Sequence, residues 1–234
     1  MDNPVVSRAE WLAARKDLLA KEAELARTRQ ELIEARRKLP MTEVTKEYRF
    51  EGPDGQVGLA DLFEGRRQLI VYHFMFDPQW SEGCKHCSLI LDNVGHLSHI
   101  NALNTTFALA SRAPYEKIAA FRERMGWSVP WYSVDGPDFN RDFHVALGDA
   151  YNPEEMGDPD DPSRFLEGEA GVFVREGDRI LHAYSTYDGG IEIDLLHGTF
   201  NLLDMTPLGR QDDAPGRPWL FHHDRYPQEA LAGR

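Results

Sequence analysis

The residues best suited to chemistry in this chain are its two cysteines, Cys84 and Cys87, which are spaced Cys-x-x-Cys. An apolar segment at residues 69–76 precedes them, and apolar residues at roughly helical spacing follow them. This order of strand, loop and helix places a thiol at a helix N-terminus, where backbone N–H groups and the helix dipole favour the thiolate. Because a structural zinc site needs four ligands, an isolated pair of cysteines indicates redox chemistry.

In a thiol–disulfide reaction, Cys84 is the expected nucleophile at the start of the helix, and Cys87 resolves the mixed disulfide from the first turn. Only a thiolate attacks, so the reaction requires a Cys84 pKa below the ordinary value of about 8.5. The neighbouring Lys85 and His86 favour the ionised form. Trp80 lies just before the pair and is expected either to shape a groove beside it or simply to pack.

Reduction of a peroxide by Cys84 is an alternative reaction for the same segment. Peroxiredoxins carry the pattern Pro-x-x-x-Thr-x-x-Cys; here Pro78 and Ser81 precede Cys84, with the proline one residue too close. In this alternative, peroxide oxidises Cys84 to a sulfenic acid, and Cys87 condenses with it. Arg112 is the candidate for polarising the peroxide, although a surface arginine explains it equally well.

Binding of a metal without turnover is a third alternative. Cys84, His86 and Cys87 are suitable ligands for copper or zinc if a fourth group joins them. His73 and His144 are the candidates for that group, but a histidine on a strand is more often packed or hydrogen-bonded than bound to a metal. No other cofactor is expected.

Two further regions carry weaker signals. The segment 222–224, with sequence His-His-Asp, is a candidate metal patch but is more typical of a polar terminus. The stretch 127–143 is rich in aromatic residues and is interpreted mainly as core. Its polar residues Ser133, Asp138, Asn140 and Asp142 make a small-ligand pocket the alternative.

Charge and composition exclude several classes of function. The 234 residues include 39 acidic and 26 basic side chains, for a formal charge of −13. This balance disfavours nucleic acids and anionic membrane surfaces as partners. No apolar run reaches the roughly 18 residues of a membrane span, and the N-terminus lacks a signal peptide's apolar region. We therefore expect a cytoplasmic protein whose thiols are reduced or cycling.

Residues 1–40 are predicted to form an amphipathic helical arm. Ser7 is placed to cap the helix, Glu10 completes a capping box, and Pro40 ends the helix. Two apolar rows flank a charged row, which is not the seam of a coiled coil. The rows contain Trp11, Leu18, Leu25, Leu32 and Leu39 on one side and Leu12, Leu19, Ala26 and Ile33 on the other. The arm is expected to pack on its own domain or on a partner, and a homodimer through it is a hypothesis.

Residues 41–210 are predicted to form one α/β domain and residues 211–234 an irregular tail. An acidic segment rich in proline and glycine, residues 149–169, is expected to be a surface excursion. Strands are predicted at 48–50, 69–76, 105–110, 131–133, 171–174 and 180–184, and helices at 84–100, 114–125, 138–145 and 191–202. Alternating strands and helices, closed by an antiparallel hairpin and a last helix, describe a thioredoxin-like sandwich, a central mixed sheet flanked by helices.

Seven longer motifs resemble one bacterial family. They are Ser111–Pro114, Met125–Trp127, Pro130–Ser133, Asp138–Asn140, Asp142–Val145, Tyr184–Tyr187 and Leu203–Arg210. The chain is similar over nearly its whole length to the thioredoxin-like family catalogued as domain of unknown function 899, which is related to alkyl hydroperoxide reductase and thiol-specific antioxidant proteins. The resemblance implies the fold. The family's chemistry is not established, so the expectation of thiol redox chemistry rests on the cysteine pair. Under that interpretation we expect a disulfide-bearing protein or small molecule as substrate and an unidentified electron donor.

One departure from thioredoxin-like reductases concerns the segment before the hairpin. Those proteins place a cis-proline there, against the active site. Residues 166–171 of this chain contain no proline. The backbone there is still suited to binding an extended substrate, but the missing proline weakens the prediction of disulfide exchange with proteins.

Overall fold

The computed structural model describes residues 3–145, 168–187, 191–212, 214–215 and 217–231. The chain divides into two compact units, residues 1–41 and 42–234, which are described separately. Most of the predicted excursion at 149–169 lies outside the described residues. Within the described residues, no helix combines the length and the apolar character that crossing a membrane requires.

The N-terminal unit contains one long helix, α1 (Arg8–Arg36). The predicted capping box is present: the Ser7 hydroxyl accepts a hydrogen bond from the Glu10 N–H, and the Glu10 carboxylate accepts one from the Ser7 N–H. The helix ends at Arg36, before the predicted end at Leu39, because a residue that precedes a proline is disfavoured in the helical conformation. Local sequence signals therefore account for both ends of this helix.

Charged side chains interrupt the apolar rows of α1. Ion pairs join Arg15 to Glu22 at 2.9 Å and Arg27 to Glu31 at 2.8 Å along the helix. Exposed pairs of this kind contribute roughly 0.2–1 kcal/mol each to stability. The helix thus carries two narrow apolar rows and no continuous apolar face, and a homodimer through it stays a prediction.

The described residues of the second unit form a single mixed sheet in the order β1-β8-β7-β4-β5-β6-β2-β3. The strands are β1 (Thr42–Glu43), β2 (Arg49–Gly52), β3 (Gly55–Gly58), β4 (Gln68–His73), β5 (Thr105–Ser111), β6 (Trp131–Val134), β7 (Gly168–Glu176) and β8 (Arg179–Tyr187). Strands β4, β5 and β6 are parallel, whereas β7 pairs antiparallel with both β4 and β8. This parallel centre with an antiparallel hairpin on one side confirms the predicted thioredoxin-like sandwich.

Among its described residues this unit has the helices α2 (Lys85–Asp92), α3 (Ser98–Ala102), α4 (Tyr115–Arg124), α5 (Asp138–Asp142), α6 (Ile191–Leu196), α7 (Gly198–Leu203) and α8 (Gln228–Leu231). Short 3₁₀ turns lie at Asp61–Phe63 and His223–Arg225.

Three helix predictions in this unit were too long, and the shortest of them, at 138–145, ends at Asp142. The helix predicted at 84–100 stops at Asp92, because the Asn93 amide bonds back to the Leu89 carbonyl and Gly95 favours an irregular backbone. The helix predicted at 191–202 is divided at His197. There Gly198 passes so close to Asn93 that a Cβ at this glycine would lie 2.7 Å from the Asn93 Oδ1.

Buried clusters lie on both faces of the sheet. One contains Tyr72 of β4 and Cys87 of α2 and extends to α4. The other contains Val71 of β4 and Phe139 of α5. Since successive residues of a strand point to opposite faces, Tyr72 faces the cysteine helix, whereas His73 faces Phe139, with their rings 5.4 Å apart. Neighbouring polar residues of one strand therefore enter different halves of the core.

Candidate active site

The cysteines lie where the chain returns from the end of β4 to the start of α2. Cys84 is the residue that precedes the first turn of α2, and its N–H donates to the Met75 carbonyl at 2.9 Å. Lys117 holds the loop between β4 and α2, because its ammonium donates to the carbonyls of Pro78 at 2.7 Å and Trp80 at 2.8 Å. The loop and the helix start are thereby fixed to each other.

Gly83 permits the close approach of this loop to the core. A Cβ at this position would lie 2.7 Å from a ring carbon of Phe74 and 2.8 Å from one of Phe121. Contacts this short are not tolerated in a close-packed interior without a shift of the neighbouring rings. A glycine immediately before Cys84 thus lets the thiol sit at the helix start, above the aromatic core.

The two thiols have opposite acidities. The pKa of Cys84 lies well below its usual range, first because the Cys87 thiol donates to its sulfur and then because the N–H groups of Cys87 and His86 and the His86 side chain do so. Partial burial opposes this effect. The pKa of Cys87 is raised well above its usual range by the hydrogen bond it gives to Cys84 and by its own burial. These directions favour the thiolate at Cys84 and the thiol at Cys87.

Tyr72 is a site residue that the sequence did not single out. It is buried on β4 in the same cluster as Cys87, and its phenol hydrogen-bonds the Cys87 sulfur. Burial, and then the negative charge of Cys87, raises the pKa of Tyr72 well above its usual range. A tyrosine inside an apolar strand is typical of core packing, so the available signal was only its place on the face of β4 toward α2.

The predicted supporting residues are only partly brought together. His86 contacts Cys84, and the Lys85 ammonium donates to the Arg217 carbonyl at 3.3 Å. Ser81 and Trp80 are exposed on the loop before the cysteines. The Arg112 guanidinium is 62% exposed and pairs with Asp77 at 3.4 Å, as expected of a surface arginine.

The C-terminal segment contacts the start of α2. His222 is buried, and its Nε2 donates to the Gly83 carbonyl at 2.9 Å. Leu220 packs against Leu89 of α2. A cavity of about 350 Å³ lies between this segment and the helix start, lined by Glu82, Lys85, Pro218, Leu220, Phe221, His222 and Arg225. The predicted irregular tail is therefore part of the wall beside the cysteines.

His73 and the segment 222–224, which were proposed as metal ligands, lie in separate surroundings. His223 contacts the Asp92 carboxylate at 2.8 Å, and Asp224 pairs with Arg124 at 2.8 Å. His73 is buried on the face away from the cysteines, where burial first and then the nearby His182 lower its pKa to about 3. Both His73 ring nitrogens lack a hydrogen-bond partner among the described residues. Across the part of the chain that the structure describes, no three histidine, cysteine or acidic side chains are arranged to hold a metal.

The backbone at the start of β7, where thioredoxin-like reductases place a cis-proline, is already hydrogen-bonded to β8. The Ala170 N–H donates to the Thr186 hydroxyl of β8 at 3.0 Å. Ala170 is also the register partner of Tyr72 on β4. All peptide bonds among the described residues are trans. Since the Ala170 N–H already donates a hydrogen bond, it is less able to bind the backbone of an extended substrate than an N–H on an unpaired strand edge.

Comparisons with known proteins bear on fold and family. No curated protein matches the chain. Among solved structures, it is similar to a putative protein disulfide isomerase from Bacteroides thetaiotaomicron, with 20% identity, 70% of this chain and 89% of that one covered, and a TM-score of 0.39. It is also similar to the bacterioferritin comigratory protein of Xanthomonas campestris, with 14% identity, 67% and 90% covered, and a TM-score of 0.41.

The mitochondrial 2-Cys peroxiredoxin of Plasmodium falciparum is similar at 13% identity, with 70% of this chain and 91% of that one covered and a TM-score of 0.40. At such distances the chemistry of these proteins is not carried over to this chain. The family model described as bacterial protein of unknown function (DUF899) matches residues 1–226. With nearly the whole sequence matched, the chain belongs to the DUF899 family.

Proposed function

We propose that the protein is a thiol–disulfide oxidoreductase in which Cys84 is the nucleophile and Cys87 the resolving thiol. The observation that carries the proposal is the pairing of a half-buried thiol at the start of α2 with a buried thiol one turn behind it. The N–H groups at the helix start and the Cys87 thiol lower the pKa of Cys84, so it is a thiolate at neutral pH.

The reaction needs no group beyond the two sulfurs and a disulfide substrate. The Cys84 thiolate attacks one sulfur of R–S–S–R′, forming the mixed disulfide Cys84–S–S–R and releasing R′–S⁻. Cys87 then attacks the Cys84 sulfur, forming the Cys84–Cys87 disulfide and releasing the second thiol. The substrate has gained two electrons and the protein has lost two. An external dithiol must return them, and with an oxidising partner the same steps run in reverse.

The surface around Cys84 suits a substrate with apolar parts. Met75 and Trp80, on the loop before the thiol, are 45% and 41% exposed, and the loop itself is held in place by Lys117. Exposed apolar side chains beside a reactive group commonly mark a contact surface. The proposed substrates are therefore disulfide-bearing proteins or small molecules that present an apolar group beside the sulfur.

Alkylation of each thiol as a function of pH tests the proposal. We expect iodoacetamide to label Cys84 rapidly at pH 6, where an ordinary thiol reacts slowly, and mass spectrometry to find Cys87 unlabelled. Cys87→Ser keeps a hydroxyl donor and one reactive thiol, whereas Cys84→Ser leaves only the buried thiol. If Cys84 reacts at pH 6 no faster than free cysteine does, the proposal is wrong.

Two direct assays separate this function from its alternatives. A peroxidase of this design consumes hydrogen peroxide, so faster turnover with peroxide than with a disulfide would replace the proposal with peroxide reduction. A copper or zinc protein retains stoichiometric metal on purification and loses it in the Cys84→Ser, Cys87→Ser double variant. For the oxidoreductase we expect slow peroxide consumption and no metal dependence of disulfide exchange.

A further inference from the structure

We propose that the Tyr72 hydroxyl stabilises the Cys87 thiolate in the second step of disulfide exchange. This inference rests on the proposed function and adds a named group to it. It concerns the attack of Cys87 on the mixed disulfide. Cys84 cannot assist the ionisation of Cys87 in that step, because its sulfur is no longer a thiolate. Cys87 must then ionise inside the core, and the groups around it decide how readily it does so.

Tyr72 is well placed for this role. Its side chain is 3% exposed and lies in the same apolar cluster as Cys87, which is 5% exposed. The strand holds the phenol there by its register, in which Tyr72 of β4 pairs with Ala170 of β7. The hydroxyl hydrogen-bonds the Cys87 sulfur, and the Met75 N–H is a second donor to it.

A buried thiolate needs such donors. Ionising a thiol in apolar surroundings is costly, and a hydrogen bond to the charged form offsets part of that cost. In the reduced protein, the hydrogen bond from Tyr72 lowers the pKa of Cys87, against the larger effects of burial and Cys84. After Cys84 forms the mixed disulfide, its negative charge is gone, and Tyr72 and Met75 are the donors that remain.

Tyr72 acts as a donor and not as a base. Burial, Cys87, Glu169 and Cys84 all raise the pKa of its phenol, so it keeps its proton throughout the working range of pH. The step balances without another reactant. Cys84–S–S–R and Cys87–SH give the Cys84–Cys87 disulfide and R–SH, with the Cys87 proton ending on the departing thiol. The hydroxyl holds the charge on the Cys87 sulfur while the new S–S bond forms.

Reaction of the reduced protein with 5,5′-dithiobis(2-nitrobenzoate) separates the two steps. Attack by Cys84 releases one coloured thiolate, and attack by Cys87 on the resulting mixed disulfide releases the second. In Tyr72→Phe we expect the first phase to be unchanged and the second to slow about tenfold at pH 7, the loss expected for one hydrogen bond to a charged group. The midpoint of the second phase should also move to higher pH by about one unit.

Tyr48→Phe is the matched control, since it removes a hydroxyl that bonds the Asp142 carboxylate at 2.6 Å on the other face of the sheet. It should leave both phases unchanged. Circular dichroism checks folding, and the pH dependence of the ultraviolet absorbance of the thiolate in the Cys84→Ser background gives a second measure of the acidity of Cys87 with and without Tyr72.

An unchanged second phase, or equal slowing of both phases, would overturn the role of Tyr72 alone. A wild-type protein without a rapid first phase would overturn both this inference and the proposed function.

Discussion

Tyr72 and His73 are neighbours on β4, and both are buried polar residues. They lie on opposite faces of the strand, and only Tyr72 has a hydrogen-bond partner among the described residues. The Tyr72 hydroxyl meets the sulfur of Cys87. The His73 ring packs against Phe139, and neither of its nitrogens has a partner among the described residues. A polar group with a partner can take part in chemistry, whereas one without a partner costs stability. The comparison teaches that the polar pattern of a strand does not reveal which face carries the site.

The largest expected effect tests the cysteine face. Cys84→Ser should abolish disulfide exchange, by about 1,000-fold or more, because it removes the nucleophile. Cys87→Ser should still form the mixed disulfide and then stop, so the adduct accumulates and is visible by mass spectrometry. Equal residual activity in the two variants would contradict the assignment of distinct roles.

Gly83→Ala tests how tightly that face is packed. The new methyl group would overlap the rings of Phe74 and Phe121, so we expect a loss of about 1–3 kcal/mol in the free energy of unfolding. Urea denaturation measures it. Gly95→Ala is the control, because nothing lies within 4 Å of a Cβ at that glycine. Similar stabilities for the two variants would show that the loop moves away from the core at little cost.

His73→Leu tests the opposite face. Replacing an unpartnered ring with an apolar side chain of similar size should leave stability at pH 7 unchanged or raise it by about 1 kcal/mol. It should leave the Cys84 alkylation rate unchanged, since His73 faces the other cluster. A loss of several kcal/mol would mean that the ring has a partner.

The same residue gives a prediction for pH. Burial lowers the pKa of His73 from 6.5 to about 3, so between these values the unfolded chain binds a proton that the folded chain excludes. Stability should therefore fall as the pH falls from 6.5 toward 3. Urea denaturation at pH 7.5 and pH 5 should show a smaller loss in His73→Leu than in wild type. His99→Gln, at an exposed histidine, should show the wild-type loss.

Tyr48→Phe tests whether the two faces of the sheet are independent. It removes the hydrogen bond to Asp142 on the His73 face, so the free energy of unfolding should fall by about 1 kcal/mol. The rate of Cys84 alkylation should not change. A change in that rate would show that the two faces of the sheet are coupled more strongly than their packing indicates.

The sequence was sufficient for the fold and for the place of Cys84 at the start of a helix, because local patterns determine both. Apolar runs predicted β4 and β5, the capping box predicted the start of α1, and the Cys-x-x-Cys spacing placed Cys84 before a helix. Tyr72 was not singled out, since its place beside Cys87 depends on how α2 packs against β4. The contact of His222 with Gly83 joins residues 139 positions apart, which no local pattern encodes. Arg112 was a candidate by position only, and its pairing with Asp77 depends on how the loop folds.

The contact between His222 and Gly83 has a consequence for the order of folding. Contacts between residues far apart in sequence require loop closure and tend to form late. The pairing of β1 with β8 in the sheet and the docking of the C-terminal segment both close loops of this length. The thiol has its final surroundings only when that segment is docked, so the rate of Cys84 alkylation during refolding reports on this docking.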